Sequence, residues 1–136
     1  DGLTVYGGIS NVDQFQNSST VNGDSEETVY GFKYSMGGFT FGYQRSDEET
    51  GLTAATSYDN QAYGVVFAVN DDLSVSYGHV ESDKQGDSDD AEADSFQAAY
   101  TMGGATFAIA ETKADNIAYA AGDDAETTTI SMSLAF

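Results

Sequence analysis

The segment KYSMGGFTFGYQ, residues 33–44, decides the fold class because it combines strict alternation with a central glycine pair. Period-two alternation is typical of a β-strand with two different faces. Two adjacent glycines supply the positive φ angles that a tight hairpin turn requires. One side of the predicted hairpin is apolar and carries Tyr34, Met36, Phe39, Phe41 and Tyr43. The other side carries Lys33, Ser35, Thr40, Gly42 and Gln44.

The same alternation extends along the whole chain and predicts an all-β antiparallel meander. We predict eight strands, at Leu3–Val12, Thr28–Met36, Phe39–Ser46, Gln61–Val69, Leu73–Glu81, Ser95–Met102, Ala105–Lys113 and Thr127–Phe136. Short turns are predicted at 37–38, 70–72 and 103–104, and long polar connections follow the remaining strands. All short turns therefore lie at one end of the predicted sheet and all long connections at the other.

Composition limits the function classes. The 136 residues suit a single domain spanning 1–136, and the formal net charge of −19 argues against nucleic acid as a partner because phosphates would repel it. There is no cysteine, which excludes disulfides and thiolate metal sites. The apolar runs, such as 65–69, are far shorter than the roughly 20 residues of a membrane-spanning helix, but the strands of a transmembrane barrel alternate and need no such run.

The placement of charge separates the two ends of the predicted sheet. Of the 23 acidic residues, only Asp1, Asp71 and Asp72 lie at the short-turn end. The strand centres are almost free of charge, and the non-aromatic face is built mainly from small, weakly polar residues. An apolar outer face and a small, polar inner face suit a barrel embedded in lipid. A soluble sandwich whose aromatic face forms a core is the alternative.

The last ten residues, TTTISMSLAF, alternate Ile130, Met132 and Leu134 and end on Phe136. This pattern resembles the C-terminal assembly signal of bacterial outer-membrane proteins. With this C-terminal pattern, its glycine-turn hairpins and its acidic loops, the chain resembles the porins of alphaproteobacteria, especially the Rhodobacter-type general diffusion porins. The resemblance implies a transmembrane β-barrel in the outer membrane of a Gram-negative bacterium. It also implies a homotrimer that passes small hydrophilic solutes and ions.

The strand count differs from that family, whose barrels have about 16 strands. The opening DGLTVYGG resembles DDLSVSYG at 71–78, the second half of a hairpin, so we expect the eight strands to be the C-terminal half of a 16-stranded porin. The small inward residues support this, because they would leave voids in a narrow eight-stranded barrel. The alternative is a complete, closed eight-stranded outer-membrane barrel with a surface-interaction or structural role through its acidic loops.

Three long polar side chains on the small-residue side are the candidate pore-lining residues: Lys33, Gln44 and Gln97. Lys33 is the only charged one and is the best candidate for a wall charge that tunes ion preference. The acidic loops would attract cations to the mouth of the channel, which predicts a mild cation preference.

The acidic loops are also a weak candidate for metal binding. Asp87, Asp89, Asp90 and Glu92 offer oxygen ligands of the kind that Ca²⁺ or Mg²⁺ prefers, although their spacing does not fit an EF-hand. A solvated acidic rim is the alternative, and divalent ions that bridge the loops to lipopolysaccharide phosphates are a third possibility.

We expect no enzymatic activity. His79 is the single histidine, and alternation places the neighbouring Ser76 on the opposite face of the strand. A catalytic histidine needs a nucleophile within reach, so a structural role for His79 is favoured.

Overall fold

The computed structural model describes residues 1–14, 23–52 and 56–135. These residues form one eight-stranded antiparallel sheet whose strands pair in chain order. The strands are β1 (Gly2–Val12), β2 (Ser25–Met36), β3 (Phe39–Glu49), β4 (Ser57–Ala68), β5 (Leu73–Lys84), β6 (Ala91–Met102), β7 (Ala105–Asp115) and β8 (Ala125–Leu134). A 3₁₀ helix, Ile117–Tyr119, lies between β7 and β8. The predicted all-β meander of eight strands is confirmed.

The tight turns occur where the sequence predicts them. Gly37 between β2 and β3 has a φ of 56°, and Gly103 and Gly104 between β6 and β7 have φ of 59° and 84°. These left-handed conformations favour glycine because it has no Cβ. Between β4 and β5, the Asn70 side-chain oxygen accepts the backbone N–H of Asp72, at 2.9 Å. The same oxygen accepts the next N–H along the chain, so a side chain closes this turn instead of a glycine.

The strand register gives the sheet two chemically distinct faces. Phe32 pairs with Val5 and Tyr43, and Tyr43 in turn pairs with Tyr63. The aromatic face carries Leu3, Val5, Phe32, Tyr34, Phe39, Phe41, Tyr43, Tyr63, Val65, Phe67, Val75, Tyr77, Tyr100, Phe107, Ile109, Ile130 and Met132. The small-residue face carries Thr4, Gly31, Lys33, Ser35, Gly42, Gln44, Ala62, Gly64, Ser76, Gly78, Gln97, Ala99, Ala108 and Ser131.

Neither face is covered by another layer. Across the described ranges no hydrophobic side chain is buried, and Ile9 and Ile130 are 84% and 80% exposed. The aromatic rings contact one another along the sheet instead, as in the Phe39–Phe67 stack with centroids 4.3 Å apart. A soluble sandwich requires a second sheet packed on the apolar face, and the eight strands form a single sheet. The sandwich alternative is therefore wrong for this structure.

The strands reach further toward the long connections than predicted. β4 begins at Ser57 rather than Gln61, and β6 begins at Ala91 rather than Ser95. The backbone ladder continues through charged and polar residues at this end, whose alternation carries no hydropathy signal. At the other end of the chain, β8 ends at Leu134, and Phe136 lies outside the described residues.

The two outer strands, β1 and β8, are the edges of the sheet. β1 pairs only with β2 and β8 only with β7 among the strands in the described part of the chain. Every residue of both strands is solvent-exposed. The sheet is therefore open, with one long unpaired edge on each side.

Candidate pore wall

The three predicted pore-lining residues share the small-residue face. Lys33 lies on β2 opposite Gly42, Gln44 lies on β3, and Gln97 lies on β6 opposite Ser76. All three side chains are exposed. They stand on three different strands, so the structure places them on one wall without bringing them into a single cluster.

A tyrosine that sequence analysis did not assign also projects from this wall. The Tyr6 hydroxyl donates to Gln44 Oε1 at 3.1 Å, and the ring lies over Gly31. A Cβ at Gly31 would be 2.5 Å from the Tyr6 hydroxyl and 2.5 Å from the Tyr43 carbonyl oxygen, so the backbone needs glycine there. The sequence did allow this placement to be predicted, because Tyr6 is three residues after Leu3 and strand alternation puts the two side chains on opposite faces.

The connection between β7 and β8 folds onto the small-residue face, which sequence analysis did not predict. The Tyr119 hydroxyl lies 2.8 Å from Ser82 Oγ, and Ser82 donates to Asn60 Oδ1 at 2.5 Å. Because the Ser82 hydroxyl donates its only proton to Asn60, Tyr119 is the donor in its hydrogen bond to Ser82. Asn60 and Ser82 are directly opposed on β4 and β5, so the Tyr119 ring is tied to two strands of the wall.

Two further side chains hold the Tyr119 ring. The Tyr58 ring lies 6.0 Å from it between centroids, within the range of favourable aromatic pairs. Lys84 Nζ lies 5.2 Å from the Tyr119 centroid, close enough for a cation–π contact. Lys84 and Tyr58 are opposed in the register, so the ring is held against one end of the β4–β5 pair.

The backbone of this connection adopts an unusual conformation. Asn116, Ala118 and Tyr119 have φ of 54°, 60° and 59°, in the left-handed region that is unfavourable for Ala and Tyr. The Asn116 side chain donates to the Asp90 carbonyl at 3.1 Å. The N–H of Ile117 donates to the carbonyl of Asp123 at 2.7 Å and closes the turn. Tertiary contacts therefore hold a locally disfavoured conformation.

A cavity of about 440 Å³ lies between this connection and the wall. The residues that line it are Gln44, Ser46, Asn60, Gln61, Ala62, Val80, Glu81, Ser82, Ala91, Glu92, Ala93, Ala114, Asp115, Ile117, Ala118 and Tyr119. It is therefore bounded by β3 to β7 on one side and by the 3₁₀ helix on the other.

The long-loop end of the aromatic face carries charge instead of apolar side chains. Arg45 forms ion pairs with Asp59 on the adjacent strand β4 and with Asp47 at 3.7 Å. His79 Nδ1 lies 2.9 Å from Asp94 Oδ1. The apolar part of the face therefore ends well before the strands do.

Acidic residues oppose one another at the same end. Asp59 pairs with both Asp47 and Asp83, and Glu81 pairs with Glu92. Like charges directly opposite each other are destabilising. The accumulated carboxylates also give this end of the sheet a strongly negative potential.

The four predicted metal ligands do not assemble into a metal site. Asp87 pairs with Lys84 at 2.5 Å, and Asp89 accepts a hydrogen bond from Ser88 at 2.9 Å. Glu92 lies on β6, and Asp90 is on the preceding connection. No group of three or more acidic or histidine side chains in residues 1–14, 23–52 and 56–135 is placed to hold a metal ion.

The C-terminal pattern is placed as its alternation predicts. Ile130, Met132 and Leu134 share the aromatic face and are 80%, 59% and 58% exposed. Phe136, the fourth residue of that pattern, falls outside the described residues.

Comparison with known proteins identifies a family. A family model described as Gram-negative porin matches residues 1–136. Searches of curated proteins and of solved structures give no match. Within the described ranges, no helix is long and apolar enough to span a bilayer.

Proposed function

The chain belongs to the Gram-negative porin family, which places it in the outer membrane, and we propose that its sheet forms part of the wall of a water-filled channel. The channel passes small hydrophilic solutes and ions by passive diffusion. A channel role without catalysis is supported by His79, which bonds to Asp94 on the aromatic face, while Ser76 lies on the other face of β5.

The proposal rests on the different chemistry of the two faces of the sheet. The aromatic face exposes a continuous band of apolar side chains, which is stable only when lipid or another apolar surface covers it. The small-residue face is mainly polar or small, with Tyr6, Val66 and Val80 as exceptions, and suits contact with water. Tyr34 and Tyr100, at the short-turn ends of β2 and β6, are well placed to anchor at the membrane interface.

We propose that further strands pair with the edges of β1 and β8 and close a barrel of about 16 strands. An unpaired strand edge cannot remain in hydrocarbon, because its backbone groups would lack hydrogen-bond partners. The open sheet therefore favours half of a larger porin over a closed eight-stranded barrel. The intact mass of the native polypeptide tests this point, since a mass no greater than that of these 136 residues would contradict the larger barrel.

A mild cation preference follows from the charge distribution. The chain carries 23 acidic and 4 basic residues, and the opposed carboxylates lie at the long-loop end. This negative potential raises the local cation concentration at the mouth of the channel. Lys33 is the one exposed cation among the three named wall residues and would oppose that preference locally.

The likeness to Rhodobacter-type general diffusion porins supports a homotrimer in a lipopolysaccharide-containing membrane. We propose that the outward carboxylates at the long-loop end lie near the lipopolysaccharide headgroups, where divalent cations from solution would reduce repulsion between the two anionic surfaces. Native electrophoresis before and after heating would report the number of subunits.

Conductance tests the proposed function. The native protein, extracted in mild detergent and added to planar bilayers, should give discrete current steps. In a KCl gradient, the reversal potential should show a modest preference for K⁺ that weakens as salt rises, because salt screens the acidic residues. A heat-denatured sample of the same preparation is the control. Failure of the native protein to produce current steps would contradict the channel.

A further inference from the structure

The cavity beneath the β7–β8 connection has an amphipathic lining that simple diffusion does not require. Its floor is a single register row across four strands, formed by Ala62, Val80, Ala93 and Ala114. Ile117 of the 3₁₀ helix also lines it. These small apolar side chains leave room for a bulky apolar group, and they offer it no hydrogen bond.

The next row of the wall is polar. Asn60 and Ser82 lie directly opposite each other; Ser82 bonds to the Tyr119 hydroxyl and donates to Asn60. Ser46 opposes Asn60 on the adjacent strand and extends this row. The cavity therefore presents an apolar surface beside a strip of hydrogen-bonding groups, the usual composition of a small-molecule site. Its volume of about 440 Å³ is also in the range of such sites.

The charged residues around the cavity determine whether it favours a cationic or an anionic ligand. The charged residues among those that line it are Glu81, Glu92 and Asp115, all acidic. Alternation places their side chains toward the aromatic face, so they act on the cavity through their field and not by contact. Asp115 is neutralised by Lys113 at 2.7 Å, as the neighbouring Lys84 is by Asp87 at 2.5 Å, so the field comes from Glu81 and Glu92. The field favours a cation and disfavours an anion.

We propose that this cavity binds a small organic cation with an apolar body, such as an arylalkylamine. The proposal rests on the proposed function in one respect, namely that the small-residue face is open to the channel. The apolar body lies on the row from Ala62 to Ala114, and the ammonium group lies toward the polar row of Ser46, Asn60 and Ser82, because Lys84 Nζ already lies 5.2 Å from the Tyr119 centroid. The left-handed φ of Ala118 and Tyr119 keeps the connection over the cavity and gives the site its shape.

Ligand-observed NMR on the detergent-extracted native protein tests the proposal, with phenethylamine as the probe. We expect saturable saturation transfer to its ring protons. Binding of 2-phenylethanol, which lacks the charge, and of ethylamine, which lacks the ring, should each be at least about tenfold weaker. Equal binding of phenethylamine and 2-phenylethanol would overturn the cationic selectivity, and absence of saturable transfer would overturn the site.

Two variants locate the site. Ala93→Leu fills the floor from β6, and Tyr119→Ala removes the anchored ring; both should reduce phenethylamine binding at least about tenfold. Tyr100→Ala, on the aromatic face at the short-turn end of β6, is the matched control and should bind as the native protein does. Native affinity in Ala93→Leu would overturn the proposed position.

Conductance recorded on the same preparations separates this inference from the proposed function. Current steps without phenethylamine binding would refute the site and leave the channel standing. Binding that depends on Tyr119 in a protein without current steps would refute the channel and leave the site standing.

Discussion

His79 Nδ1 on β5 lies 2.9 Å from Asp94 Oδ1 on β6, and the two residues are directly opposed in the register. Tyr77 donates its hydroxyl to the same carboxylate oxygen, and Tyr63 stacks on the His79 ring with centroids 4.9 Å apart. One carboxylate thus joins two side chains of β5 to β6 at the boundary between the apolar and charged parts of the aromatic face.

Replacing this carboxylate should weaken the β5–β6 pair. In Asp94→Ala, the Tyr77 hydroxyl and the His79 ring both lose their partner, and we expect the thermal midpoint in detergent to fall by about 2–4 °C. Circular dichroism at the β-sheet band measures it. Asp71→Ala removes a carboxylate at the opposite end of the sheet and is the control. Equal midpoints for the two variants would show that the Asp94 contacts contribute nothing specific.

Gly31 is the position where the wall has least space, because both the Tyr6 ring and the Tyr43 carbonyl lie against it. Gly31→Ala should destabilise the protein by about 1–3 kcal/mol, since a backbone atom cannot move aside as a side chain can. Gly42→Ala is the matched control on the neighbouring strand, where the nearest atom to the new Cβ is the Phe32 carbonyl oxygen at 3.9 Å. Denaturant titration should separate the two variants clearly. Similar midpoints would mean that the chain relaxes around the clash.

Much of this arrangement was predictable because strand parity is a strong constraint. Once Tyr34 and Phe41 were assigned to one face, the positions of Lys33, Gln44 and Gln97 on the other followed from the period of two. The short turns at one end likewise followed from glycine pairs and from the Asn70–Asp72 segment.

The inward fold of the β7–β8 connection was not predictable in the same way. Ala118 and Tyr119 adopt left-handed φ, against their local preference, and the bonds of Tyr119 to Ser82 and of Asn116 to the Asp90 carbonyl hold them there. Those partners are far away in the chain, so no local sequence pattern indicates the contacts. The apolar stretch Ile117–Tyr119 inside a polar connection was the only available signal.

Lys33 should tune ion preference if the small-residue face lines the channel. Lys33→Glu reverses the one charge among the three wall residues, so we expect the ratio of cation to anion permeability to rise roughly twofold or more at low salt. The reversal potential in a KCl gradient measures this ratio. Lys113→Glu makes the same change on the aromatic face, where Lys113 pairs with Asp115 at 2.7 Å, and should raise the ratio less than Lys33→Glu does. A larger effect from Lys113→Glu would contradict the assignment of the faces.

Asp90 provides a test of the repulsion at the acidic end. Desolvation raises the pKa of Asp90 above its ordinary value, and Asp83, Glu81 and Asp89 raise it further. The folded state therefore binds the Asp90 proton more tightly than the unfolded chain does. Stability is lost as pH rises from the unfolded pKa through the folded one, and the ionised carboxylate is unfavourable at neutral pH.

The variant Asp90→Asn removes that charge and keeps the backbone carbonyl that accepts from Asn116. We expect its thermal midpoint to exceed that of the native protein at pH 7 and to converge with it near pH 3. Asp71→Asn, which removes an equal charge at the short-turn end, should lack this pH-dependent gain. A stabilisation of Asp90→Asn that is the same at both pH values would show that the effect is not electrostatic.

Adjacent residues on β8 give the sharpest test of which face meets lipid. Ile130 lies on the aromatic face opposite Ile109, whereas Ser131 lies on the small-residue face opposite Ala108. Ile130→Lys places an ammonium group in hydrocarbon and should cost about 2–4 kcal/mol of folding free energy in a bilayer. Ser131→Lys places the same group in water and should fold nearly as well as the native protein. Folding into lipid vesicles, followed by heat-modifiable gel mobility, measures both variants side by side. If Ser131→Lys were the variant that failed to fold, the small-residue face would be the buried one, and the channel would have to be abandoned.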